Sequence, residues 1–250
     1  MRFSLAGVQL KFSAVMEASG GLSVPADGMG GSWIVKLPSA RFPAVPENEF
    51  VMLELARRVG IAVPPLRIVE VGKHKGRGLH HGRHCPRRRA VRPPPRRRPR
   101  AHGGFRASVG ALFRGVFYAA LNPKKSSRAE HHFLLDCQVN LKNWSLLYPG
   151  RRTPVLSPAC DFVATLPYLP GDTLALTFGG GRSLAGITTD QMRHFADAAR
   201  IPASPLWQIG VETAERTVRA WKALEQTDLL PKDMRTSIEK QIFAVASTTK

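Results

Sequence analysis

Residues 136–168 read DCQVNLKNWSLLYPGRRTPVLSPACDFVATLPY, and this stretch decides which fold the chain is expected to adopt. Two polar groups in it, Lys142-Asn143 and Asp161, are each followed at once by an apolar run. An Asn in one loop and an Asp at the start of a later turn form the pair of oxygen ligands that holds Mg²⁺ in phosphoryl transfer. The alternative is an ordinary β-hairpin with solvated ends, which the stretch taken alone favours.

Three further segments extend this pattern toward the N-terminus: FSLAGVQLKF at 3–12, WIVKLP at 33–38 and ENEFVMLELARRVGIAVPP at 47–65. With them, the chain resembles the HipA-type serine/threonine kinases of bacterial toxin–antitoxin systems. Those kinases carry N-x-D-x-H-x-K-N followed by a Tyr-Asp-type metal motif. The resemblance implies an α+β, protein-kinase-like fold with a small β-rich lobe and a larger helical lobe, here incomplete.

The predicted small lobe, residues 1–72, contains a strand and a helix with one charged residue of interest each. Residues 33–37 are an apolar run that includes Lys36, and residues 47–59 predict a helix with acidic residues in its first turn. The resemblance assigns to Lys36 and Glu49 the ion pair that positions the α- and β-phosphates of ATP in protein kinases. The alternative is a snorkelling lysine and a solvated glutamate.

The N-terminal segment is expected to contact phosphate. Gly7 permits a tight turn and a close approach of backbone N–H groups to an anion. The resemblance implies that a phosphate loop lies along ATP and that Ser4 occupies an autophosphorylation position. From the residues alone, Ser4 would be a strand-edge hydroxyl. Because the chain starts directly at this loop, we expect the family's preceding N-terminal subdomain to be absent. The loop residues assigned to ATP are Ala6, Gly7, Val8, Gln9 and Lys11.

The catalytic-loop motif is altered. Aligned without gaps, N-x-D-x-H-x-K-N falls on Asp136, Gln138, Asn140, Lys142 and Asn143, so that only the last two residues match. Gln138 stands where the resemblance implies the catalytic Asp, and a glutamine cannot accept a proton from the attacking hydroxyl. General-base catalysis contributes about 10²–10⁴-fold, so activity is expected to be impaired or lost. The resemblance still assigns Asn140 to ATP, and Asn143 with Asp161 to Mg²⁺-ATP.

Charge separates a middle segment, 73–130, from its flanks. Of the 37 basic residues, 17 lie between 71 and 129 without any acidic residue, which leaves 20 basic and all 18 acidic residues elsewhere. Residues 73–104 are rich in Arg and Pro and poor in apolar residues, so we expect disorder. This segment is either an arm that binds nucleic acid through counterion release or the product of a shifted reading frame. We favour the shifted frame, because no Tyr or Phe is interleaved with these arginines to stack on bases.

The predicted C-terminal lobe, residues 131–250, is mainly helical after residue 187. Thr188 with Gln191 predicts a capping box, and Ser204-Pro205 predicts the start of a second helix. Pro231 is expected to open a last helix. A core stripe is expected in the second helix at Trp207, Val211, Ala214, Val218 and Trp221.

The remaining features of the sequence limit the possible locations and functions of the protein. No run of 18 apolar residues and no signal-peptide pattern occurs, and the three cysteines form no CxxC, which favours a reduced cytoplasmic protein. The first functional hypothesis is an impaired protein serine/threonine kinase that uses ATP and Mg²⁺. Its partners, implied by the resemblance, are a helix-turn-helix antitoxin and a protein substrate such as an aminoacyl-tRNA synthetase. The alternatives are a nucleic-acid-binding protein acting through the basic segment and a pseudokinase that only docks the antitoxin.

Overall fold

The computed structural model describes residues 11–18, 21–24, 32–39, 41–70, 77–82, 146–147, 155–173, 178–183 and 187–248. Within these ranges the chain is α+β. A small antiparallel sheet comes first, and four α-helices and a short 3₁₀ helix supply most of the remaining regular structure.

The sheet has five strands in the spatial order β2-β1-β3-β5-β4. In chain order these are β1 Lys11–Met16, β2 Leu22–Ser23, β3 Trp33–Lys36, β4 Leu66–Glu70 and β5 Arg77–Gly82. The strand predicted at 33–37 is confirmed to within a residue. The register places Lys11 opposite Lys36, so that both side chains start from the same face of the sheet.

Strand β5 contradicts the expectation that residues 73–104 are disordered throughout. Its six residues pair with both β3 and β4 and complete the sheet. A strand held between two others is stabilised by backbone hydrogen bonds, which do not depend on an apolar composition. The disorder prediction used the overall composition of residues 73–104, which does not reveal the six residues that pair in this way. The sheet therefore extends to Gly82, past the predicted boundary at 72.

Helix α1 comprises Val45–Arg58 and begins two residues earlier than predicted. Pro46 lies in its first turn, where a missing N–H costs nothing. The helix ends at Val59, and Gly60 follows with a φ of 99°, a value that favours glycine. Nine of its fourteen residues are buried, Asn48 and Glu49 among them. Such a helix lies inside the molecule.

The C-terminal part contains α2 Thr189–Ala199, α3 Ala203–Lys222, a 3₁₀ helix Glu225–Leu229 and α4 Lys232–Thr248. The predicted capping box is confirmed: Thr188 Oγ1 accepts from the Gln191 N–H at 3.2 Å, and the Thr188 N–H donates to Gln191 Oε1 at 2.9 Å. The helix predicted after Pro231 is also confirmed. Before α2, two short antiparallel strands pair, β6 Leu146–Leu147 and β7 Val155–Leu156.

Two details of α3 differ from the expectation. The helix begins at Ala203 after Pro202, so Ser204 is not the N-cap; Pro205 is tolerated because the first-turn N–H groups have no intrahelical partner. The predicted stripe is confirmed only in part, because α3 packs against α1, α2 and α4 and its most buried line is shifted; Trp207, Val211 and Val218 are half-buried. Of the predicted stripe, only Ala214 and Trp221 are buried; the other buried residues are Leu206, Gly210, Thr213 and Thr217.

The largest hydrophobic core joins α1 to the C-terminal helices. It contains most of the inner face of α1, residues 159–164 in part, and apolar residues of α3 and α4 such as Trp221 and Ile238. Two arginines reinforce the junction of α1 and α3. Arg58 donates to the carbonyl oxygen of Ala223 at 2.8 Å, and Arg216 donates to that of Val59 at 3.3 Å. Each helix thus supplies an arginine to the C-terminal end of the other, where cations are favoured.

None of the described helices combines the length and the hydropathy that crossing a lipid bilayer requires.

Candidate functional site

Three charged side chains from distant parts of the chain meet beside the sheet. Lys36 Nζ donates to Glu49 Oε1 and to Asp161 Oδ1. Lys36 ends strand β3, Glu49 lies on α1, and Asp161 follows β7. Lys36 and Glu49 are only 4% and 0% exposed, so the alternative of a snorkelling lysine and a solvated glutamate is excluded.

The electrostatics of this cluster follow from burial and charge. Burial alone would lower the pKa of Lys36, but the charges of Glu49 and Asp161 outweigh it and hold the pKa above its usual value. Burial raises the pKa of Glu49, and the Lys36 ammonium opposes that shift. The second carboxylate oxygen, Glu49 Oε2, is buried and has no hydrogen-bond partner among the described residues. The lysine therefore stays charged and is shared between two carboxylates.

Asp161 is the most accessible of the three groups, with 29% of its side chain exposed. Its φ is 59°, in the left-handed region, which Asp and Asn tolerate better than other side chains. Its two neighbours, Cys160 and Phe162, are buried. The turn thus directs one carboxylate out of an otherwise apolar segment toward Lys36.

The segment around Asp161 is tied to the α1 region on both sides. The Ala159 N–H donates to the carbonyl oxygen of Ala62 at 2.7 Å. On the other side, Asn48 Nδ2 donates to the carbonyl oxygen of Ala164 at 2.9 Å, and the Ala164 N–H donates to Asn48 Oδ1 at 2.9 Å. These contacts fix where the turn at Asp161 lies.

Tyr168 closes this segment. Its hydroxyl donates to the carbonyl oxygen of Pro43 at 3.0 Å, and Asn48 Nδ2 lies 3.4 Å from the same hydroxyl. The ring of Phe42 packs edge-on with its centroid 5.7 Å away. Burial raises the pKa of Tyr168 from 10.0 to about 12.

We predict a loss of stability at alkaline pH that depends on Tyr168. Between pH 10 and about pH 12 the folded state keeps the phenolic proton that the unfolded state has released, so the free energy of unfolding falls as pH rises. Tyr168→Phe should reduce this fall, as measured by urea unfolding at neutral and alkaline pH. Phe42→Leu, which removes the ring contact but leaves the Tyr168 hydroxyl and its hydrogen bonds, should retain it. Equal slopes in Tyr168→Phe and the wild type would contradict the prediction.

The other residues predicted for the site divide into two groups. Lys11 lies opposite Lys36 in the register of β1 and β3, is exposed, and its charge opposes the raised pKa of Glu49. The rest lie outside the described residues, and their roles stay predictions: Ser4, Ala6, Gly7, Val8, Gln9, Gln138, Asn140 and Asn143.

The sequence analysis missed Asn48. It precedes Glu49 on α1, is 0% exposed and contacts the Asp161 segment. A signal was available in the sequence: Asn48 shares helical spacing with Val51, Met52 and Leu55, and a polar amide on an apolar face needs a buried partner.

The described residues fit a nucleotide phosphate and a divalent cation. A buried ammonium beside a partly exposed carboxylate offers one contact to an anion and one to a metal. No cluster of three or more His, Cys, Asp or Glu that could hold a metal occurs in the described part of the chain. Mg²⁺ commonly binds one or two protein carboxylates together with substrate phosphates, so Asp161 and one further oxygen ligand would suffice.

Comparison with known proteins gives three similarities. The HipA-like C-terminal domain family matches residues 3–83. "Putative kinase Y4dM" of Sinorhizobium fredii is 40% identical in an alignment of 248 positions that covers 89% of this chain and 60% of that protein. "Putative kinase Y4mE" of the same organism is 29% identical in an alignment of 225 positions that covers 80% of this chain and 52% of that protein.

A solved structure has the same fold. It is the Shewanella oneidensis MR-1 toxin–antitoxin system HipA, HipB and its operator DNA complex, with a TM-score of 0.69 and 19% identity. The match covers 99% of this chain and 64% of that one. The α+β, protein-kinase-like fold expected from the sequence is thereby confirmed. The chain spans only about 60% and 52% of the length of the two curated relatives.

Proposed function

We propose that this chain is a protein serine/threonine kinase whose phosphotransfer is impaired or lost. The premise is the HipA-type character of the chain in sequence and fold. The HipA-type resemblance itself is confirmed by the comparisons. The observation that carries the proposal is the buried Lys36 ammonium, which contacts both Glu49 and Asp161. In protein kinases this combination holds ATP and its metal.

The residues would divide the work as follows. Glu49 orients the Lys36 ammonium, which binds the α- and β-phosphates, and Lys11 with the phosphate-loop residues adds contacts to the phosphates. Asp161 and Asn143 would supply oxygen ligands to Mg²⁺, and a metal held there would supply positive charge to offset the charge on the transferred phosphoryl group. Gln138 can orient the attacking hydroxyl but cannot take its proton. Binding is therefore expected to survive better than transfer.

Partners and location are also proposals. We propose that a helix-turn-helix antitoxin is the partner and that the substrate of an active relative is a protein hydroxyl, an aminoacyl-tRNA synthetase being one example of the class. The HipA complex of S. oneidensis supports the antitoxin, because its HipA is assembled with HipB and operator DNA. A cytoplasmic location is in keeping with three cysteines that form no CxxC.

The proposal predicts that Mg²⁺-ATP stabilises the full chain. A ligand at 100 times its dissociation constant adds about 2.7 kcal/mol to the free energy of unfolding, which a thermal shift experiment detects. Asp161→Asn keeps a side chain that tolerates the left-handed turn but removes the charge, so the Mg²⁺-dependent part of the shift should be lost. Asp172→Asn, a nearby carboxylate that accepts from Thr165 Oγ1 at 2.8 Å, is the matched control and should keep it. A wild-type chain that Mg²⁺-ATP does not stabilise would refute the proposal.

A further inference from the structure

We propose that Asn48 is a positioning residue that holds the turn carrying Asp161 in register with Glu49 on helix α1. The inference rests on the proposed function of this site and adds to it a residue that does not itself touch ATP or metal. It acts through its hydrogen bonds to Ala164, three positions after Asp161.

The contact is specific in its chemistry. Asn48 is 0% exposed, and its amide uses the nitrogen to donate to Ala164 O and the oxygen to accept from Ala164 N, both at 2.9 Å. The side chain therefore pairs with both backbone groups of one residue, as a neighbouring antiparallel strand would, across 116 residues of sequence. Alanine makes neither bond. Aspartate has nearly the same shape, but when ionised it cannot donate and presents an oxygen to the carbonyl oxygen of Ala164.

The geometry shows why the Asn48 contact acts on Asp161. Asp161 lies between two anchors, the Ala159–Ala62 bond on one side and the Asn48–Ala164 pair on the other. Phe162, between the anchors, is 2% exposed and packs in the main core. Removal of the Asn48 pair takes away the backbone anchor on the C-terminal side of the left-handed turn.

Helix α1 is a suitable base for this arrangement because it is fixed to the rest of the molecule. Val51, Leu55 and their neighbours lie in the same core as the C-terminal helices, and Arg58 and Arg216 join α1 to α3. The positions of Glu49 and Asp161 are thus both fixed relative to α1. Lys36 is the only member of the charged cluster that comes from the sheet.

The test separates Mg²⁺-dependent from Mg²⁺-independent binding of ATP, measured by calorimetry on the full chain. Partners of a metal ligand typically contribute about 10–100-fold to metal affinity, so Asn48→Ala and Asn48→Asp should weaken binding by that factor in the presence of Mg²⁺. Binding of ATP in EDTA depends on Lys36 and should change much less. If Asn48 had a purely structural role, its substitution would weaken ATP binding by the same factor in Mg²⁺ and in EDTA.

Ile238→Ala is the matched control. Ile238 is 3% exposed on α4 in the same core, and its truncation should lower the stability of the fold as much as, or more than, loss of the Asn48 hydrogen bonds does. At a temperature where all variants are folded, the control should keep the wild-type ratio of the two affinities. The inference is overturned if the wild type binds Mg²⁺-ATP and the Asn48 variants share the control's ratio.

Hydrogen exchange of the ATP-free chain distinguishes failure of this inference from failure of the proposed function. Asn48→Ala should speed exchange of the Ala164 amide and its neighbours more than Ile238→Ala does. If the wild type does not bind Mg²⁺-ATP, the proposed function falls and with it the metal-directed part of this inference. Faster exchange would then still establish the anchor, and unchanged exchange would remove the anchor as well.

Discussion

Replacing Lys36 by methionine should lower the free energy of unfolding by about 3–5 kcal/mol. Methionine fills a similar volume, so the loss reports charge and hydrogen bonding more than packing. Without the ammonium, Glu49 remains fully buried with an uncompensated carboxylate. Asp161 is less affected, since 29% of its side chain reaches solvent. Urea unfolding of the two chains at neutral pH measures the difference.

The loss should also depend on pH. Without Lys36, burial raises the pKa of Glu49 with no ammonium to oppose it, so the folded variant binds a proton that the unfolded chain releases above its ordinary pKa of about 4.5. Stability of Lys36→Met should therefore decline as pH rises from that value. A flat profile would contradict the uncompensated carboxylate as the cause.

A second substitution tests the pairing directly. In Lys36→Met/Glu49→Leu the buried charge is gone on both sides, and replacement of a buried ion pair by apolar residues is often neutral or stabilising. The double variant should recover most of the stability that Lys36→Met loses. Lys232→Met, at an exposed position, is the control and should change stability by less than about 0.5 kcal/mol. Additive losses in the double variant would show that the two side chains do not interact.

Replacing Gln138 by aspartate should raise phosphotransfer by about 10²–10⁴-fold. The gap-free register of the motif predicts that this residue stands at the catalytic-base position, and the substitution returns a carboxylate that can accept the hydroxyl proton. Transfer of labelled phosphate from ATP to serine-containing protein, the chain itself included, measures the gain. Because Gln138 lies outside the described residues, this expectation rests on the sequence register alone.

Two controls keep the result interpretable. Gln138→Asn changes the side chain without adding a base and should leave the rate at the wild-type level. Adding Asp161→Asn to the Gln138→Asp chain should abolish the gain, because the proposed metal ligand then loses its charge. Vigorous phosphotransfer by the wild type would refute the hypothesis that the kinase is impaired.

The sequence predicted the parts of the site that depend on local patterns. The run around Lys36 gave a strand, and the spacing of acidic, apolar and basic residues gave the helix that carries Glu49. The resemblance then suggested that these residues meet Asp161, and the structure brings the three together. Their roles toward ATP and Mg²⁺ stay predictions.

Other features could not be predicted in this way. Strand β5 was missed because its residues carry no apolar alternation and gain their order from strands on both sides. The predicted start of α3 was wrong because Ser204-Pro205 is a strong local signal for a helix N-terminus. Pro202 lies two residues upstream and is the actual N-cap, and the local sequence does not distinguish between the two starting points. Asn48 was missed because its partner, Ala164, is an ordinary residue with no side-chain chemistry.

The sequence by itself determined the residue types available for chemistry: a lysine in a strand, a glutamate in a helix, an aspartate before an apolar run, and a glutamine where a base is expected. Such information is local, since periodicity and motif spacing act over a few turns of chain. Only the tertiary structure decided that Lys36 and Glu49 lose solvent together and that Asn48 ties α1 to the Asp161 turn. Burial and a bond across 116 residues depend on how the whole core packs.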